Sequence, residues 1–152
     1  MPVSSDDFRA ALSRFASGVT VVTTKDAAGK LHGITVSAFC SVSLDPPLVL
    51  VCIEKSAGSH NAINESCVFA VNILSAEQTE ISEHFASVLE DKFEGIDLIV
   101  SNLDIPILSK SLVTLECRLT QTLDGGDHSI FLGKVEYLAI RDAEPLVYYR
   151  SD

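Results

Sequence analysis

Three short segments hold residue types that could do chemistry. In Gly33-Ile34-Thr35-Val36-Ser37-Ala38-Phe39-Cys40-Ser41-Val42-Ser43, hydroxyls recur two residues apart within an apolar run. Small side chains on a strand let backbone N–H and C=O groups approach a flat heteroaromatic ligand, while Thr and Ser hydroxyls satisfy its polar rim. A solvated strand face has the same pattern. The second segment, Lys55-Ser56-Ala57-Gly58-Ser59, precedes HNAINES and offers hydroxyls, a glycine and a lysine at a helix start. Helix starts present unpaired N–H groups and partial positive charge, which suits a phosphate; with Ser59 as N-cap, simple capping is the plainer reading. The third segment, Gly125-Gly126-Asp127-His128, is a turn that delivers a histidine to the first position of a strand. There it can face a cleft and bond a carboxamide or phosphate, or simply flank the turn at the surface.

Other chemistries find no pattern. Cys40, Cys52, Cys67 and Cys117 form no C-x-x-C pair and sit in apolar stretches, as small buried hydrophobes do. A backbone contact from Cys52 to a ligand stays open. His32, His60, His84 and His128 make no H-x-x-H or H-E-x-x-H pair, so no metal site is expected. There is no G-x-S-x-G elbow, no Ser/His/Asp order, and no G-x-G-x-x-G after a strand.

The elements that must position these segments are mostly strands. DDFRAALSRF places Phe8, Ala11, Leu12 and Phe15 at helical spacing behind Ser5 and two acids, an amphipathic opening helix. GVTVVTT, GITVSAFCSVS and PLVLVCI read as three strands, the first two an antiparallel pair and the third set off by Asp45-Pro46-Pro47. CVFAVNIL is a fourth strand, and Ser75-Ala76-Glu77-Gln78 has capping-box spacing ahead of a helix with Ile81 and Phe85 one turn apart. Val88 to Ser111 loosens into a charged, Pro-interrupted excursion outside the core. LVTLECRLTQTL, HSIFLGKVEYLAI and LVYYR close the chain. In the first, Val113, Leu115, Cys117 and Leu119 alternate with Thr114, Glu116, Arg118 and Thr120 as in a half-buried strand.

Many short strands with few helices favour a mainly β fold, an antiparallel barrel rather than a doubly wound sheet. The 152 residues, 47% hydrophobic, suit a single domain spanning 1–152. A net charge of −10 argues against nucleic acid and anionic membranes as partners. No run of roughly 20 apolar residues is present, and MPVSSDDFRA lacks the order of a secretion signal, so a soluble cytoplasmic protein is expected.

Taken in order, SGVTVVTT, GITVSAFCSVSLDPPLVLVCI, SAGSHNAI, FAVNIL, GDHSIFLGKVEYL and PLVYYR resemble the flavin reductase family with the FMN-binding split-barrel fold, from about Phe8 to Arg150. The resemblance implies an antiparallel Greek-key split barrel, a homodimer, and reduction of FMN, FAD or riboflavin by NADH or NADPH. It also implies a separate monooxygenase that receives reduced flavin. Matched by position, Thr35, Val36, Ser37 and Ala38 would line the isoalloxazine, with Ser41 nearby and Cys52, Ile53 and Glu54 adding contacts. Ser56 and Ser59 would hold the flavin phosphate, Lys92 and Phe93 would cover the cofactor, and His128 and Tyr149 would approach the nicotinamide. Members commonly carry a further glycine and tyrosine where this sequence stops at Ser151-Asp152, a departure from the family pattern that puts a tail-dependent lid in doubt. A split-barrel flavin carrier without turnover is the alternative. A relative of the pyridoxamine-phosphate oxidase kind would be expected to show more basic residues.

Overall fold

The computed structural model describes residues 2–150; Ser151 and Asp152, on which the expectation about a tail bears, lie outside them. The chain begins with α1 (Ser5–Leu12), capped by Ser4, one residue before the expected start, whose Oγ accepts the Asp7 N–H at 3.1 Å. Its periodicity makes a helix, yet none of its residues is buried: Phe8, Leu12 and the following Phe15 all stay exposed. The amphipathic stripe therefore has no covering face among the described residues.

β1 (Ser17–Gly18) and β2 (Thr20–Lys25) follow, then β3 (Leu31–Val36), β4 (Phe39–Ser43) and β5 (Leu48–Glu54). The run expected as one strand from Gly33 to Ser43 is thus two, broken at Ser37-Ala38. Next come α2 (Gly58–Ser66), β6 (Val68–Ile73), a 3-10 turn (Ala76–Gln78) and α3 (Thr79–Phe85). The Ser75–Gln78 capping box forms as its spacing predicts, and Phe85 is buried behind it. The chain ends through β7 (Leu98–Ile99), β8 (Ile107–Leu108), β9 (Val113–Gly125), β10 (His128–Ile140) and β11 (Val147–Tyr148).

Seven strands make one antiparallel sheet in the order β3-β2-β6-β9-β10-β5-β4, with β1–β11 and β7–β8 as separate pairs. Its two edges, β3 and β4, are consecutive in the chain. Three Cα steps bridge Val36 to Phe39, a reach of at most about 11 Å, so the sheet must curl until its edges nearly meet. Cys52 N–H donates to the Ala38 carbonyl at 3.0 Å and fixes the crossing. No ladder joins β3 to β4 among the described residues, so the curled sheet is not closed by hydrogen bonds, unlike a full barrel.

Inside the curl, Val22, Val51, Ile53, Ile63, Phe69, Val71 and Phe131 form the main core. Gly133 lets Phe69 reach the β10 backbone: a Cβ there would stand 2.5 Å from Phe69 Cζ and 3.0 Å from Cys117 Cβ.

The segment from Val88 to Ser111 is not wholly outside the core, because Ile105, Ile107 and Leu108 are buried. Polar ties explain why this irregular chain can sit there. Fully buried Asn72 accepts the Leu108 N–H at 3.0 Å and donates to the Val21 carbonyl at 2.9 Å, and Thr23 Oγ1 donates to the Pro106 carbonyl at 2.6 Å. Glu116, expected on the solvent face of β9, is buried instead. Its carboxylate accepts the Asn102 and Leu103 N–H groups at 2.8 and 2.9 Å.

Candidate functional site

The β2–β3 hairpin supplies the first wall. Asp26 Oδ1 accepts the Ala28 and Lys30 N–H groups, both at 2.9 Å, and Gly29 takes φ +88° between them. This tight turn delivers His32 to the cavity, with Nε2 2.9 Å from Asp26 Oδ2. Farther along β3, Thr35 Oγ1 donates to the Ser82 carbonyl at 2.6 Å, so this hydroxyl ties α3 to the wall. Ser37 and Ala38 are exposed at the crossing between sheet edges. Val36 and Ile53 belong to the core and present little beyond backbone, whereas Cys52 is half-buried. Burial first, and nearby Cys40 second, push the Cys52 thiol pKa up.

The start of α2 forms one end. Its N-cap is Ala57, which supplies no side-chain bond; Ser59 lies one turn position inside the helix and is buried, correcting its expected capping role. The first turn itself carries no acid, and the nearest in the chain is Glu54, three residues before Ala57 and also in the cavity lining. Ser56 Oγ lies 3.5 Å from Glu54 Oε2.

Beside this end, the β9–β10 turn places His128 across the ladder from Glu54, with Nδ1 2.7 Å from Asp127 Oδ1. The hydrogen bond from His128 holds the Asp127 carboxyl below its ordinary value, helped by the charge interaction with the same ring.

The last wall follows α3. Lys92 Nζ donates to the Phe85 carbonyl at 2.9 Å and the Gly33 carbonyl at 3.1 Å, and burial lowers its pKa. The ammonium is thus a strut between α3 and β3. Phe93 meets Phe85 edge-on with ring centres 5.1 Å apart, and both rings need Gly33, where a Cβ would stand 2.7 Å from Phe85.

Together these walls enclose a cavity of about 760 Å³, in the range of small-ligand sites. Thr35, Val36, Ser37, Ala38, Cys52, Ile53, Glu54, Ser56, Ser59, Lys92, Phe93 and His128 all line it. Two expected residues do not. Ser41 stands opposite Val49 on β4, across the break at Ser37-Ala38, and Tyr149 follows β11, whose partner is β1 beside α1. The sequence reading missed Lys30, His32 and the segment from Ala86 to Glu90, which also line the cavity. An Asp six residues before His32, across a Gly-containing turn, was the available signal. Among the described residues no three His, Cys, Asp or Glu side chains gather as a metal site.

Residues 12–152 match the family described as flavin reductase like domain. The chain belongs to the flavin reductase-like family. As a member, it is 44% identical over 145 residues to the reductase subunit HsaB of a flavin-dependent monooxygenase from Rhodococcus jostii, covering 95% of this chain and 74% of that protein. It is 43% identical over 127 residues to a probable flavin reductase of Rhizobium meliloti, covering 84% of this chain but only 41% of the relative's length. Among solved structures, the NADH:FAD oxidoreductase of Streptomyces globisporus, in complex with NAD and FAD fragments, superposes with TM-score 0.92 at 33% identity, covering 100% of this chain and 94% of the other. This flavin reductase-like chain therefore shares the fold of proteins whose names state flavin reduction by NADH.

Proposed function

We propose that this chain is an NAD(P)H:flavin oxidoreductase that supplies reduced flavin to a separate monooxygenase. One observation carries the reading: a cavity of about 760 Å³ is walled by the residues that the family resemblance assigns to flavin, Ser41 aside, and holds His128 at its rim. The names of the Rhodococcus and Streptomyces relatives support the partner oxygenase and the nicotinamide donor.

The residues present fit such a cofactor. Backbone of Val36 and Ile53 and the small side chains of Ser37, Ala38 and Cys52 leave room for a flat ring, and Thr35 and Glu54 border its polar edge. Ser56, Ser59 and the uncapped first turn of α2 suit the phosphate of FMN or FAD. When bound, flavin supplies the redox chemistry, its N5 taking hydride from the nicotinamide C4 of NADH or NADPH. The chain's own work is orientation and exclusion of water. Lys92 and Phe93 hold the far wall shut against β3. His128, fixed through Nδ1 by Asp127, offers Nε2 to the nicotinamide carboxamide. Ser41 and Tyr149 lie outside this cavity and are given no part in it.

The curled sheet is read as the FMN-binding split barrel, with residues 1–152 as one domain. The chain is read as a homodimer because Phe15 and Ile140 are 78% and 77% exposed, and Phe8, Leu12, Leu138 and Val147 are exposed beside them. So many uncovered apolar side chains call for a second copy. A cytoplasmic setting agrees with four free cysteines and with no helix, among the described residues, long and apolar enough to cross a membrane.

The test mixes purified protein with NADH and FMN, FAD or riboflavin and follows absorbance at the nicotinamide band. Nucleotide is expected to be consumed with at least one flavin. Consumption with none, despite flavin binding, would favour the carrier reading.

A further inference from the structure

The reading above leaves one hydrogen-bonded pair idle: His32, which lines the cavity, and Asp26, which holds it from outside the lining. Asp26 Oδ2 and His32 Nε2 lie 2.9 Å apart, and both side chains are 18% exposed. The His32 ring first, and the Lys30 N–H next, hold the Asp26 carboxyl below its ordinary value. An ionised carboxylate only accepts, so Nε2 carries the proton and donates it to Oδ2. Ring orientation and tautomer are thereby fixed, as they are for histidines oriented by a carboxylate at metal sites.

With Nε2 committed, Nδ1 faces the start of α2. A Cβ added at Gly58 would stand 3.3 Å from Nδ1 and 3.5 Å from Cε1, so the ring lies directly against this glycine. Nδ1 has no hydrogen-bond partner among the described residues. The other charged side chains lining the cavity are Lys30, from the same hairpin, Glu54, two residues before Ser56, and Glu90 and Lys92, from the segment after α3. The first turn of α2 adds no acid. An anion seated there would gain a charged donor already backed by a carboxylate.

We propose that His32, positioned by Asp26, recognises the phosphate of the flavin: with both nitrogens protonated, Nδ1–H donates to the FMN phosphate or FAD diphosphate while Nε2–H stays on Asp26. The proposal rests on the flavin-binding reading and divides the labour within it. β3 and β5 recognise the ring system, and His32 distinguishes a phosphorylated flavin from riboflavin. Asp26 acts through His32, as a positioning residue.

Flavin fluorescence quenching with FMN, FAD and riboflavin in parallel tests this. Losing a charge-assisted hydrogen bond is expected to raise the FMN and FAD Kd about tenfold or more in His32→Gln, with riboflavin within about twofold of wild type. Asp26→Asn is expected to move FMN in the same direction by less, again sparing riboflavin. Because both substitutions touch the hairpin, the wild-type protein gives a second readout: the His32 Nδ1 resonance in ¹⁵N NMR should move with FMN and not with riboflavin. Equal loss of FMN and riboflavin in His32→Gln, or an Nδ1 resonance indifferent to bound FMN, overturns the proposal and leaves the flavin reading standing. Wild-type protein that binds none of the three flavins overturns that reading and this one with it.

Discussion

The Lys55 N–H donates to the Asp127 carbonyl at 2.9 Å, and the Lys55 ammonium pairs with Asp124. The loop leading into α2 and the turn carrying His128 are therefore tied together. A ligand that orders one of them also orders the other, which places the two halves of the proposed site under a common constraint.

His128 stands at the rim rather than among the ring-facing residues. His128→Ala is expected to raise the KM for NADH about tenfold, the loss of one hydrogen bond to a bound group, with flavin Kd within about twofold. Steady-state kinetics and flavin titration check this side by side. Equal loss of both would show that His128 serves the flavin wall.

The Asp127 carboxyl titrates below the ordinary aspartate value because the His128 ring donates to it. A depressed folded-state pKa adds stability above the unfolded value and loses it as pH falls through the folded one. Asp127 ¹³C titration is thus expected to show a midpoint below the ordinary aspartate value, moving up toward it in His128→Ala. The wild type should also lose more stability than this variant as pH falls from the ordinary aspartate value through the folded midpoint. An unchanged Asp127 midpoint in the variant would rule the bond out.

Gly133 is the point where Phe69 meets β10. Gly133→Ala drives a Cβ into that ring and should cost about 1 to 3 kcal/mol in urea denaturation, the usual range for overpacking. A cost near zero would mean that Phe69 can swing away.

The four cysteines should separate by reactivity. Cys40 and Cys67 are exposed, while burial, with Glu116 beside it, pushes the Cys117 thiol up to about 12. Brief alkylation of the native protein, read by mass spectrometry, should label Cys40 and Cys67 and spare Cys117. Cys52, in the cavity wall, should label slowly, and more slowly still with FMN present. Labelling of Cys52 indifferent to every flavin would argue against a ligand on that wall.

Much of this was legible in the residues. HSIFLGKVEYLAI, with a Gly-containing turn before it, marks β10 from end to end, and the Ser75–Gln78 box marks the turn ahead of α3. Local patterns of this kind carry their own hydrogen bonds, so tertiary context did not override them. The break at Ser37-Ala38 carries no such sign: GITVSAFCSVS is uniformly strand-like, and only the sheet's curl decides that Ser41 goes to the far edge. Glu116 looked solvent-facing because alternation reports a strand's two faces and not what later covers them. His32 was set aside for want of a second histidine, although its partner was a carboxylate held by turn geometry.

The strand order also bears on how the chain assembles. β2–β3 and β4–β5 are hairpins between near neighbours, whereas β5 meets β10 only when Glu54 finds His128 across the intervening chain. Loop-closure entropy makes such distant pairings the late steps. The cavity, walled on both sides of that seam, cannot exist until that pairing has formed. Flavin affinity then doubles as a certificate of a finished chain, and a half-assembled molecule has nowhere to hold it.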